Sequence, residues 1–362
     1  MHYLDHTRCK PAYLTKHPMQ RVCRILLLGL LTAILYAFLL QWGVQSAYAS
    51  PSERFELPSY TQDQLDALVY LNTIRIKAGL PAVSMNAQIT KAAELHAHYF
   101  NNNHIAPNLG AHHEQAGLPG FRGTTVKERL AAAGYVSPSP YGYGYGEVMH
   151  FRQKNSMDAM NGWLDTAYHR QLILSPRYQE IGIALVNGTA VVNLAGSGTS
   201  AIDGGLALYP YDGMKNVGIG FYGFENPNPL LQFNAAQSGY IISATATGSI
   251  QWHQAKMTDK NGSGVPFFAE VSRDTLFLYP KEILQYDHCY TVSIDYQLDG
   301  SDEKRNRTWS FTTRAEGINV NPSLTYSKML RNPSVMSFYK RAMYPLKGPG
   351  VRHHRVIYQA PS

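Results

Sequence analysis

Two periodicities divide the chain. From residue 61 to 198 apolar side chains recur mainly at helical spacing, and beyond 198 mainly at every second position. The segment TQDQLDALVYLNTIRIKAG (61–79) sets Leu65, Leu68, Val69, Leu71, Asn72 and Ile76 along one stripe. It opens on a Thr61/Gln64 capping box and closes on Gly79 ahead of Pro81, which predicts a helix. Asn86 caps a second, AQITKAAELHAHYFNN, with Ile89, Ala92, Ala93, Leu95 and Phe100 on its buried side. TTVKERLAAAGY predicts a short helix ended by Gly134, SMDAMNGWLDT another, and the aperiodic SPSPYGYGYG a loop. YQEIGIALV and AVVNLAG flank Asn187-Gly188 and predict a hairpin. Helices first and strands last make residues 61–198 an α+β unit. Further on, SGYIISATATG, DTLFLYP, CYTVSIDYQLDG and RTWSFTTR alternate, with Tyr290, Val292, Ile294, Tyr296 and Leu298 on one face. They predict an all-β sandwich of about a hundred residues.

The N-terminus follows neither period. A basic region precedes the apolar run ILLLGLLTAILYAFLL (25–40), which is short of the ~20 residues of a membrane span. Ala47-Tyr48-Ala49 then forms an A-x-A cleavage site. These features predict a signal peptide over residues 1–49, cleaved after Ala49, with a linker at 50–60 and no transmembrane span in the mature chain; an uncleaved signal anchor is the alternative. Either way the body lies outside the cytoplasm. Cleavage leaves Cys289 as the sole cysteine, so no intramolecular disulfide is possible, which points to a bacterial envelope or medium.

Charge excludes one class of partner. The formal net charge is +7, but residues 1–49 hold five basic residues against Asp5, and 318–362 hold seven against no acid. The body keeps 20 basic against 24 acidic residues. A nucleic-acid-binding module needs a basic folded surface, so no nucleic-acid partner is expected. The basic, aromatic segment 316–362 lacks periodicity and reads as an irregular tail, or one that touches anionic wall polymers or lipid headgroups.

Seven of the fourteen histidines, at 96, 98, 104, 112, 113, 150 and 169, fall between residues 96 and 169. His96 sits on the apolar side of its helix and reads as a core residue, while His98 and His104 read as exposed. No H-E-x-x-H, G-x-S-x-G, Walker A or C-x-x-C signature is present. The stretch GAHHEQAG instead sets imidazoles beside a carboxylate, chemistry suited to proton transfer or a divalent metal.

LNTIRIKAGLPAVSMNAQITKAAELHAHYF, FRGTTVKERLAAAGY, Gly146-Glu147 and YHRQLILSPRYQEIGI recur in an order that resembles bacterial CAP domains, the superfamily of cysteine-rich secretory, antigen 5 and pathogenesis-related 1 proteins (SCP-like). The resemblance implies a CAP α-β-α sandwich over 61–198. The β-rich segment 206–315, through YPYDG, SGYIIS and WSFTTR, resembles the Ig-like domains that follow CAP domains in some bacterial surface proteins, and it carries no expected site. The CAP resemblance implies a cleft built from His112, Glu147 and His169. His113 competes with His112, since neighbours in an extended loop point opposite ways. Thr166 stands where a second Glu is usual, and Glu114 or Asp165 is a candidate substitute. Two imidazoles and a carboxylate make an open site for zinc or another divalent cation, or else a hydrogen-bonded brace under a cleft. The resulting expectation is an exported protein that binds a cell-wall polymer, lipid or another surface protein; the alternative is a metal-dependent hydrolase acting on peptide or wall material.

Overall fold

The computed structural model describes residues 60–137, 144–198, 200–202, 205–298 and 300–317. The expected signal peptide, almost all of the linker and the tail from residue 318 lie outside them. From Tyr60 on, these residues belong to one unit.

Helix α1 (Gln62–Lys77) begins at Thr61, whose side chain and that of Gln64 satisfy each other's backbone N–H groups, and it ends before Gly79 in the left-handed region at φ +93°. Strand β1 (Ser84–Met85) leads to Asn86, which caps α2 (Ala87–Asn102). A 3₁₀ turn (Leu109–His112) precedes α3 (Val126–Ala132), opened by a Thr125/Glu128 capping box. Strand β2 (Gly144–His150) follows, then α4 (Ser156–Leu164), α5 (Tyr168–Ile173), β3 (Glu180–Val186) and β4 (Thr189–Gly196). Asn187 and Gly188, at φ +47° and +82°, make the expected hairpin turn between β3 and β4.

The sheet order is β1-β3-β4-β2, with helices on both faces. Ile181, Ile183, Val192 and Leu194 pack toward α1 and α4 through Leu68, Leu71, Met160 and Trp163. Met149, Ala184, Val191 and Ala195 meet α2 and α3 on the other face. Because both faces are covered, β3 and β4 are apolar at successive positions rather than alternating. The expected α-β-α layering is therefore present.

One local expectation fails. Residues 144–146 of the anticipated loop are strand, paired with Leu194–Gly196. A Cβ on Gly146 would lie 2.8 Å from the Tyr178 hydroxyl, so glycine here admits a ring packed against the strand rather than marking a turn.

The β-rich region holds β5 (Ala207–Tyr209), β6 (Met214–Val217), β7 (Gly220–Phe221), β8 (Ser238–Gly239), β9 (Ile242–Thr245), β10 (Ile250–Asp259), β11 (Phe267–Ser272), β12 (Thr275–Pro280), β13 (Cys289–Leu298) and β14 (Arg305–Thr313). Two four-stranded sheets, β10-β13-β14-β6 and β11-β12-β9-β5, share buried side chains that include Tyr290, Val292, Ile294, Trp309, Ile242 and Leu278. The same buried cluster runs on into α1 and α4, so apolar packing is continuous between the two regions. Arg170 of α5, 1% exposed, reinforces this seam. It donates to Leu164 O and Ile241 O (2.6 and 2.8 Å), and its guanidinium lies 4.6 and 5.4 Å from the ring centres of Tyr209 and Tyr240.

Candidate functional site

The GAHHEQAG stretch is held from beneath by buried charge. His96 on α2, fully buried as expected, meets Glu114 Oε1 through Nδ1 (2.9 Å) and Ala111 O through Nε2 (3.0 Å). Arg129 of α3 donates to His112 O and Thr124 O (both 3.1 Å) and to Glu147 Oε2 (2.7 Å). These contacts end the 3₁₀ turn with His112 toward the interior and His113 exposed. The choice between the adjacent histidines thus falls on His112, through a tight turn rather than an extended loop. His98 and His104 are both exposed.

Glu147 sits on β2 with its side chain 2% exposed. Oε1 accepts from His112 Nδ1 (2.9 Å), and with the Asn193 amide turned to satisfy both its neighbours, Oε2 also accepts from Asn193 (2.8 Å). Burial by itself raises the Glu147 pKa. The His112 hydrogen bond and the nearby His96 and Arg129 outweigh it and bring the carboxyl down to about 2.

His169, on α5, lines the same pocket as His112. Its Nδ1 lies 2.7 Å from Glu225 Oε1 and 3.3 Å from Thr166 Oγ1. The pocket encloses about 180 Å³. Asn108, Thr166 and Asn226 add polar groups to its lining, and Leu109, Met149, Phe151, Trp163 and Phe224 form apolar walls. His150 is the third imidazole on the lining. Burial lowers its pKa, the Phe151 backbone contact partly opposes this, and His169 lowers it further. A Cβ at Gly162 would fall 2.5 Å from its Nε2, so the glycine of Trp163's helix makes room for this ring.

The expected substitutes for a second glutamate are placed elsewhere. Glu114 is 1% exposed and is held by His96 and the Arg122 N–H (2.6 Å), under the turn and off the cleft. Asp165 accepts from Tyr240 (2.6 Å) and lines a separate pocket with Tyr70, Tyr209 and Arg314, on the other side of the α4–α5 turn. Glu225 supplies the second carboxylate, and it comes from the β-rich region, which was expected to carry no site. Its setting, FYGFENPNP, reads as a turn, and no local signal links it to a histidine 56 residues earlier.

The expected three-residue metal set does not fit. Both oxygens of Glu147 are engaged by His112, Arg129 and Asn193, and its side chain is buried against a guanidinium. Among the described residues no group of three or more His, Cys, Asp or Glu side chains is arranged to hold a metal ion. What remains is two imidazoles, each fixed at Nδ1 by a buried carboxylate, with Nε2 left for a ligand.

Residues 68–194 match the CAP family, described as the cysteine-rich secretory protein family. Over this stretch the chain is similar to CAP domains. The stretch contains His112, Glu147 and His169, whereas Glu225 lies beyond it. Among solved structures, an extracellular protein containing an SCP domain from Bacillus anthracis str. Ames is similar at 18% identity and a TM-score of 0.31. That match covers 39% of this chain and 45% of the Bacillus chain, so the alignment spans less than half of the neighbour's length. No curated protein matches the sequence. Among the described residues no helix is long and apolar enough to cross a membrane.

Proposed function

We propose that this is an exported, cell-envelope or extracellular binding protein whose CAP-domain cleft takes a ligand carrying an apolar group beside hydrogen-bond donors. One observation carries the reading. Phe224, 89% exposed, and Leu109, 52% exposed, border a pocket in which His112 and His169 are prevented by their carboxylates from turning away. Large exposed apolar side chains at the mouth of a concave site mark a place where a partner docks. Neutral imidazoles donating through Nδ1 present Nε2 as an acceptor, which suits hydroxyl, amide or ammonium donors. Wall polymer, lipid and a second surface protein all offer such groups. The β-rich region, two four-stranded sheets, is read as an Ig-like module that both spaces the CAP domain and walls its cleft.

Metal-dependent hydrolysis finds no such support. A general base must be reached by the attacking water, and the Glu147 side chain is 2% exposed with both oxygens already hydrogen-bonded to protein groups. The test is sedimentation of the full chain with purified bacterial cell wall and with vesicles of phosphatidylcholine or phosphatidylglycerol. Wild type co-sediments with at least one of them, and Phe224→Ser and His112→Ala each weaken that binding at least tenfold, while His113→Ala leaves it unchanged. Binding that survives both cleft substitutions, or no binding to any of these, overturns the reading.

A further inference from the structure

We infer that Glu225 is the positioning residue of His169, so that the loop 222–228 of the β-rich region completes the cleft of the CAP domain. This inference takes its functional meaning from the cleft reading above. Glu225 Oε2 accepts the Ala167 N–H (2.8 Å), and Oε1 accepts those of Tyr168 and His169 (2.8 and 2.9 Å). A carboxylate serving only to cap α5 would stop there, satisfying N–H groups that have no partner inside the helix. Oε1 also meets the His169 ring at 2.7 Å. One buried carboxylate therefore fixes both the main chain and the side chain of the same histidine.

The consequence is chemical. With Nδ1 as donor, the neutral ring is held in the tautomer that carries its lone pair on Nε2. The side chain of Glu225 is fully buried, and among the described residues its only ion pair is with His169. Its charge is met by three peptide dipoles instead of the guanidinium that meets Glu147. The inward turn at Glu225 also sets its neighbours Phe224 and Asn226 on the cleft lining. Displacing this loop would remove one wall and release the imidazole in a single movement.

The experiment is ¹⁵N side-chain NMR of histidine in the full chain at pH 8, above the ordinary histidine range. Wild-type His169 should show the Nδ1–H tautomer in roughly tenfold excess or more, the bias expected of a charge-assisted bond. Glu225→Gln should keep that bias, since its amide oxygen still accepts, and Glu225→Ala should lose it. The tautomer of His112, held by Glu147, should not change in either variant. An Nε2–H tautomer at His169 in wild type overturns the inference, as does a folded Glu225→Ala protein with the wild-type ratio. If Glu225→Ala does not fold, the wild-type spectrum alone decides. The measurement uses no ligand, so failure to bind wall or vesicles with the Nδ1–H tautomer intact counts against the cleft reading only.

Discussion

Replacing Glu147 with glutamine tests the buried network directly. The carboxyl stands at about 2 against an ordinary 4.5, and that difference corresponds to about 3 kcal/mol of folded-state stability. The carboxylate form is the one favoured by folding. Its contribution is therefore complete above pH 4.5, shrinks as pH falls, and is gone near pH 2. Glutamine keeps an acceptor for His112 or Arg129 but removes the charge, leaving the guanidinium of Arg129, 1% exposed, with only the more distant Glu114 carboxylate at 4.0 Å. Breaking a buried pair from one side typically costs about 3–5 kcal/mol, in line with the pKa argument. For a folded unit of this size 3 kcal/mol amounts to roughly 6–12 °C in Tm. Calorimetry of wild type and Glu147→Gln at pH 7, 4 and 2.5 should show that gap at pH 7 and its closure at the acid end. Adding Arg129→Leu to Glu147→Gln should recover part of the loss by removing the under-compensated charge. A gap below about 1 kcal/mol at pH 7, or one that does not narrow in acid, refutes the assignment of this network.

Three further outcomes follow from the packing. Gly182→Ala places a Cβ 2.2 Å from the backbone of Ile89 and Thr90, where α2 crosses β3, and neither element can give way cheaply. A loss of about 2–3 kcal/mol or more is expected in urea unfolding, and a near-neutral variant would show that the helix lies farther from the sheet. A fragment of residues 50–200 loses Glu225 from α5 and both Ile241 O and the tyrosine faces from Arg170, so it should unfold without a cooperative transition; a sharp transition at the full-length Tm would contradict the continuous core. Arg170→Met should lower Tm more than Arg177→Met, because the Arg177 side chain is 53% exposed and solvent screens its contact with Asp274.

Local chemistry was legible and long-range chemistry was not. Thr61 and Asn86 announce their helices because a cap needs only residues within three positions, and Asn187-Gly188 announces its hairpin because the turn demands positive φ at both residues. His112, Glu147 and His169 were found through a resemblance that carries their order along the chain, and the structure sets His112 on Glu147 and both histidines on one pocket. Strand β2 escaped because Gly146 is there to seat Tyr178, a requirement set by a residue more than thirty positions away. The choice of Glu114 or Asp165 as second carboxylate failed for a related reason: proximity along the chain does not decide which face of an element a side chain occupies.

The placement of Glu225 changes how the two regions depend on each other. A binding domain with a complete site would tolerate any neighbour, and its β-rich partner could then vary as a spacer. Here α5 carries one cleft imidazole, and its first turn, its arginine and its histidine ring all contact residues of the β-rich region: Glu225, the Ile241 carbonyl, and the rings of Tyr209 and Tyr240. Ala167, Phe221, Leu230 and Phe277 form a further apolar cluster at the same junction. Polar and apolar contacts thus converge on six residues of helix, too short a segment to hold its own geometry. The orientation of His169 is accordingly a property of the docked pair of regions, fixed by a carboxylate that lies outside the stretch matching the CAP family.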